Sequence, residues 1–151
     1  MPIPPLNDRQ FAFWRLRRTG LPNVQIADRF KISRQAVSKA LLAMDRKVEE
    51  TLLSMAQANQ IEIERLNAEI GVLFGRSVPF DAAAIVFVSA DHGGVQVWYE
   101  HEGDCGACQR YTRCIELLWG YADELGGITL EKTDDPTRMA DELFAKLREM
   151  V

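Results

Sequence analysis

The sequence predicts an α+β chain: an amino-terminal three-helix unit, a long linking helix, and a small carboxy-terminal α/β domain in the order ββαβα. Three observations lead there. Caps and stops punctuate amphipathic stretches through residue 47. No helix breaker occurs between Arg34 and Ile70. From Phe80 onward, β-branched runs, turns and amphipathic stretches follow one another. The divisions expected are 1–47, 48–75 and 80–151.

Element by element, Asn7 or Asp8 caps a helix through "RQFAFWRLRR" that stops at Gly20. Asn23 is the expected N-cap of a second helix, "VQIADRF". "KI" is a tight turn, and Ser33 caps a third helix. That helix is expected to run on to Ile70, with Gly71, Gly75 and Pro79 ending it. "AAAIVFVS" reads as a buried strand, "ADHGG" as a turn and "VQVWYEHE" as a second strand of a hairpin. "YTRCIELLWGYADEL" is an amphipathic helix ending at Gly126 and Gly127. "ITLEKT" is a short strand. Asp135 and Pro136 are good N-cap and N1 residues for a last helix through Met150.

Composition bounds the function. The chain has 151 residues and a hydrophobic content of 47%, enough for a real core. No apolar run approaches the ~20 residues that span a bilayer, and "MPIPPLNDRQ" has no secretory pattern. The expectation is a cytoplasmic protein that does not enter a membrane. Its net charge of −4 divides unevenly, at +5 over residues 1–50 and −9 over the remainder. A basic amino-terminal third suggests a polyanionic partner.

"VQIADRFKISRQAVSKAL" has the spacing of a helix-turn-helix. Ile26, Phe30, Ile32, Val37 and Ala40 fall where two such helices bury side chains against each other, and Ala27 is small at their crossing. Lys31 stands where the turn often carries glycine, which implies a left-handed or otherwise strained backbone at a non-glycine residue. Gln25, Ser33, Arg34, Gln35, Ser38 and Lys39 are expected to face outward, and such side chains match base-edge donors and acceptors. Arg15, Arg17 and Arg18 would neutralise phosphates. The bland alternative is a three-helix bundle with a solvated basic face.

The stretch "LNDRQ…WRLRRTGLPNVQIADRFKISRQAVSKALLAMDRKVEETL", about residues 6–53, resembles the archaeal Tfx-type transcription regulators. More distantly it resembles the DNA-binding domains of LuxR-type and sigma-factor region 4 proteins. The resemblance implies a sequence-specific regulator of transcription that binds double-stranded DNA. Apart from the thiols, the sequence shows no catalytic set, with two histidines and no G-x-S-x-G, P-loop or G-x-G-x-x-G, so no enzyme is expected. It does not extend to residues 80–151.

From Val48 an apolar seam runs through Leu52, Met55, Asn59, Ile63, Leu66, Ile70 and Leu73, a heptad with one irregular step. As helix, 48–73 would be roughly 39 Å long, enough to carry a homodimer. The alternative is a helix packed on its own carboxy-terminal domain.

All three cysteines, Cys105, Cys108 and Cys114, lie in "HEGDCGACQRYTRC". C-x2-C-x5-C supplies three thiolates of a tetrahedral set. His101 is the nearest fourth ligand. Asp104, His92, a small molecule or a second subunit are the others. The spacing also resembles the opening of the SPASM iron–sulfur motif, although Leu118 stands where that motif has its next cysteine. The expectation is a metal site, iron–sulfur or zinc, favouring iron–sulfur because zinc would more readily show four obvious ligands. It would sense metal, oxygen or redox state. Metal-free redox thiols and cysteines without a special role are the alternatives.

A reading from another class is a dithiol redox protein. Strand, Cys-Gly-Ala-Cys, helix and strand is the order that opens thioredoxin-like domains, with Cys105 attacking and Cys108 resolving. Such domains need further strands and a cis-proline, whereas Pro136 opens a helix, and Cys114 would have no role. Trp98, Tyr99, Tyr111, Trp119 and Tyr121 would pack in the core or line a small-molecule effector pocket.

Overall fold

The structure, a computed structural model, describes residues 8–89, 94–100, 111–125 and 136–150. Three helices come first: α1 (Asp8–Arg18), α2 (Asn23–Phe30) and α3 (Arg34–Ala58). Four strands follow, β1 (Ile61–Asn67), β2 (Val72–Ser77), β3 (Ala82–Ser89) and β4 (Gly94–Tyr99), and then α4 (Tyr111–Leu125) and α5 (Pro136–Met150). The strands form one antiparallel meander in the order β1-β2-β3-β4.

The architecture departs from the expected long helix plus ββαβα domain. α3 stops at Ala58, not Ile70. Asn59 closes its last turn, donating from Nδ2 to the Met55 carbonyl at 2.8 Å, and Gln60 turns the chain at φ 54°. "IEIERLN" then becomes β1, paired with β2 from Ile61 opposite Ser77 to Asn67 opposite Val72, with a bulge between Ile63 and Arg65. The loop "AEIG" is a hairpin turn. Ile70 N–H donates to Asn67 Oδ1 at 3.1 Å, and Gly71 N–H donates to the Asn67 carbonyl at 2.8 Å. The breaker-free run misleads because Ile61 and Ile63 suit a period of two as well as a heptad. "ITLEKT" lies outside the described residues, so the fourth element of the expected order has no counterpart among them.

The sheet is the middle of three layers. Alternation along β3 sends Ala84, Val86 and Val88 to one face, and Ile85 and Phe87 to the other. The first face joins Leu73, Ile61 and Val95 to Phe13, Trp14, Ile26, Val37, Leu41, Met44, Val48 and Leu52 of the three helices in one continuous core. The second joins Val72 and Phe74 to Leu118 and Tyr121 of α4 and to Met139, Leu143, Phe144 and Leu147 of α5. A strand covered on both sides must be apolar throughout, which is why "AAAIVFVS" shows no polar alternation.

The expected dimer seam is consumed here. Val48 and Leu52 are fully buried against the chain's own sheet, and Ile63, Leu66 and Leu73 are strand residues. The alternative of a helix packed on its own chain is the one observed.

Trp14 anchors α1 to the sheet. Its Nε1 donates to the Ala68 carbonyl at 3.0 Å, and its ring lies 2.7 Å from where a Cβ on Gly71 would stand. Gly71 has φ 81°, so both backbone and space require glycine there. Arg18 makes the second tie. Its Nη1 donates to the Val88 carbonyl at 3.0 Å, and Nη2 reaches Glu124 Oε1 of α4 at 3.4 Å. Its guanidinium carbon sits 4.5 Å from the centre of the Trp14 ring. Ser89 Oγ donates to the other Glu124 oxygen. Burial lowers the Arg18 pKa, with Glu124 among the groups opposing the shift, and burial also raises that of the Tyr121 phenol.

Candidate nucleic-acid interface

The helix-turn-helix geometry follows from three local choices. Lys31 ends α2 at φ 55° and ψ 47°, the left-handed one of the two conformations that its place in the turn allowed, and its N–H satisfies the Ala27 carbonyl. Ser33 then starts α3, its hydroxyl accepting from Ala36 N–H at 3.1 Å. Ile26, Ala27 and Val37 are buried at the crossing, while Phe30, Ile32 and Ala40 pack partly buried around them. Asn23 is not the cap of α2. Pro22 holds that position without a side-chain bond, and Asn23 Nδ2 donates across to Ser38 Oγ at 3.4 Å, joining the start of α2 to α3.

With Val37, Leu41 and Met44 turned inward, the opposite face of α3 must point to solvent. Arg34, Gln35, Ser38 and Lys39 are exposed there, as are Ser33 at the cap and Gln25 on α2. Asn23, Val24, Arg34, Gln35, Ser38, Lys39 and Leu42 line one shallow cleft between the two helices. Its polar members carry donors and acceptors, and Arg34 and Lys39 make it cationic.

The three arginines expected on phosphates have different fates. Arg15 is exposed, its guanidinium 6.0 Å from the Phe11 ring centre. Arg17 is clamped to Asp45 of α3 through two N–H donors, Nη1 to Oδ2 at 3.1 Å being one, and is only 19% exposed. Arg18 is withdrawn altogether, its side chain 1% exposed and committed to Val88 and Glu124. Sequence cannot separate these neighbours, because three arginines within four residues look equally solvated. The 100° advance per residue puts Arg18 on the Trp14 side, four residues on, and so toward the sheet.

Two cleft residues escaped the sequence reading, Val24 and Leu42, which are 46% and 63% exposed. Both look like core residues in a one-dimensional pattern. The available signal was that Leu42 follows Gln35 by seven residues and so shares its face.

The expected metal ligands His101, Cys105 and Cys108 lie outside the described residues, as do His92 and Asp104. Cys114 falls on α4, but its side chain is outside them too. Among the described residues, no group of three or more His, Cys, Asp or Glu is arranged to hold a metal ion, and no helix is long and apolar enough to cross a membrane. No protein-family model, no curated protein and no solved structure matches the chain.

Proposed function

We propose that this protein is a DNA-binding regulator of transcription that reads sequence with α2, the Lys31–Ser33 turn and the first turns of α3. The observation that carries the reading is the two-sided character of α3. Val37, Leu41 and Met44 are buried while Arg34, Gln35, Ser38 and Lys39 are presented together beside Gln25. Such a helix end, rich in side chains that match base edges, suits the major groove. The resemblance of residues 6–53 to Tfx-type regulators and the +5 balance of residues 1–50 point the same way. Arg34 and Gln35 read bases, and Lys39, Arg15 and Lys31 face phosphates.

The thiols extend the proposal. Cys105, Cys108 and Cys114, with His101, hold a metal ion or cluster whose state adjusts DNA affinity. The support is the spacing C-x2-C-x5-C within a single segment that carries every cysteine.

The experiment is selection of duplexes from a randomised pool by the purified full chain, followed by affinity against salt. A recurrent sequence should be enriched, and Arg34→Ala and Gln35→Ala should flatten the preference. Lys39→Ala should weaken all duplexes alike and reduce the salt slope by about one. No enrichment, together with salt-independent binding or none, refutes the reading.

A further inference from the structure

We propose that Leu42, supported by Val24, reads the 5-methyl group of thymine within the DNA site. This rests on the DNA-reading proposal above and makes it specific. Arg34, Gln35, Ser38, Lys39 and Leu42 are the first, second, fifth, sixth and ninth residues of α3. At about 3.6 residues per turn they form one stripe, with Leu42 two turns beyond Gln35 and roughly 10 Å further along the helix. That distance keeps Leu42 inside a major groove about 12 Å wide when the first turn of α3 faces bases.

The stripe is otherwise polar. A leucine 63% exposed at its end, facing the same cleft as a valine 46% exposed, places two apolar side chains where every neighbour is a donor, an acceptor or a cation. Leu41, one residue away, fills the core, so Leu42 does not serve the fold. Base edges in the major groove offer one apolar feature, the thymine methyl, and apolar side chains contact it. The other large exposed apolar side chains near the sheet, Ile63, Val78 and Phe80, belong to β1 and the β2–β3 turn and do not line this cleft. Leu42 is therefore assigned with the reading face rather than with that patch.

The test uses the duplex obtained by selection, with each thymine replaced singly by deoxyuridine, which removes the methyl and keeps every hydrogen-bonding group. The wild-type chain should bind one or two of these duplexes about fourfold more weakly, the change expected for one buried methyl-sized group. Leu42→Ala, with an unchanged thermal midpoint, should bind the thymine and deoxyuridine duplexes equally. Wild-type indifference at every thymine, or full methyl sensitivity in Leu42→Ala, overturns the methyl assignment while selective binding leaves the DNA reading intact. Unchanged DNA affinity in Leu42→Ala overturns it as well and gives Leu42 to a protein contact. Absence of any sequence-selective duplex binding overturns both.

Discussion

Removing the Glu124 carboxylate should destabilise the whole molecule. Arg18 and Glu124 side chains are 1% and 2% exposed, so Glu124→Gln leaves a guanidinium in the interior with no compensating charge. Breaking one side of a buried pair costs about 3–5 kcal/mol. For a chain of this size each kcal/mol lowers the melting temperature by about 2–4 °C, so the midpoint should fall by roughly 6–20 °C. Arg18→Met should cost a similar amount, since it strands the carboxylate with Ser89 and removes the donor to Val88. The double variant Arg18→Met with Glu124→Leu should lose clearly less than the sum of the singles, because a buried pair replaced by apolar groups is often near neutral. The Val88 carbonyl and Ser89 hydroxyl left behind would keep it about 1–3 kcal/mol below the wild type. The assay is urea unfolding followed by helix circular dichroism and tryptophan fluorescence. Single variants within about 1 kcal/mol of wild type, or strictly additive losses, would refute the reasoning.

Three further outcomes follow from the geometry. Lys31→Gly should raise stability by about 1 kcal/mol in urea titration, by relieving the left-handed backbone at φ 55°. Gly71→Ala should lower it by about 3 kcal/mol in the same titration, combining a disfavoured φ of 81° with a Cβ 2.7 Å from the Trp14 ring. Protein purified without oxygen should carry iron and sulfide with visible absorption, or zinc without colour, and replacement of Cys105, Cys108 and Cys114 by serine should abolish it. Metal-free wild type that readily forms a Cys105–Cys108 disulfide would move the thiols to dithiol chemistry instead.

Local signals in this chain were strong where a residue's conformation is decided by its immediate neighbours. The Ser33 cap, the left-handed Lys31, the apolar β3 and the α5 start at Pro136 all belong to that class. The end of α3 was not legible, because the signals there conflict. Met55, Asn59, Ile63 and Leu66 continue the heptad but for the step after Asn59, whereas Ile61, Glu62 and Ile63 satisfy strand alternation. What decides between them is the sheet that β1 joins, through partners 5 to 16 residues away on β2, from Val72 opposite Asn67 to Ser77 opposite Ile61. The exposed cleft between α2 and α3 was legible through its polar members and missed through Val24 and Leu42. Arg18 was misplaced because its partners, Val88 and Glu124, are 70 and 106 residues distant.

The common wall between the amino-terminal helices and the sheet bears on modularity. Val48 and Leu52 of α3 and Val86 and Val88 of β3 complete each other's packing, so the described residues offer no seam at which the three amino-terminal helices could be cut away and grafted elsewhere. A fragment ending near residue 47 would bare one flank of its own helices. A chimera accepting a foreign head in its place would bare the matching wall of the sheet. The unit that packs as one runs from α1 through α5, because α4 and α5 cover the face of the sheet that the amino-terminal helices leave open, so a change at α4 or α5 would reach the cleft through that packing rather than by swinging a head on a tether.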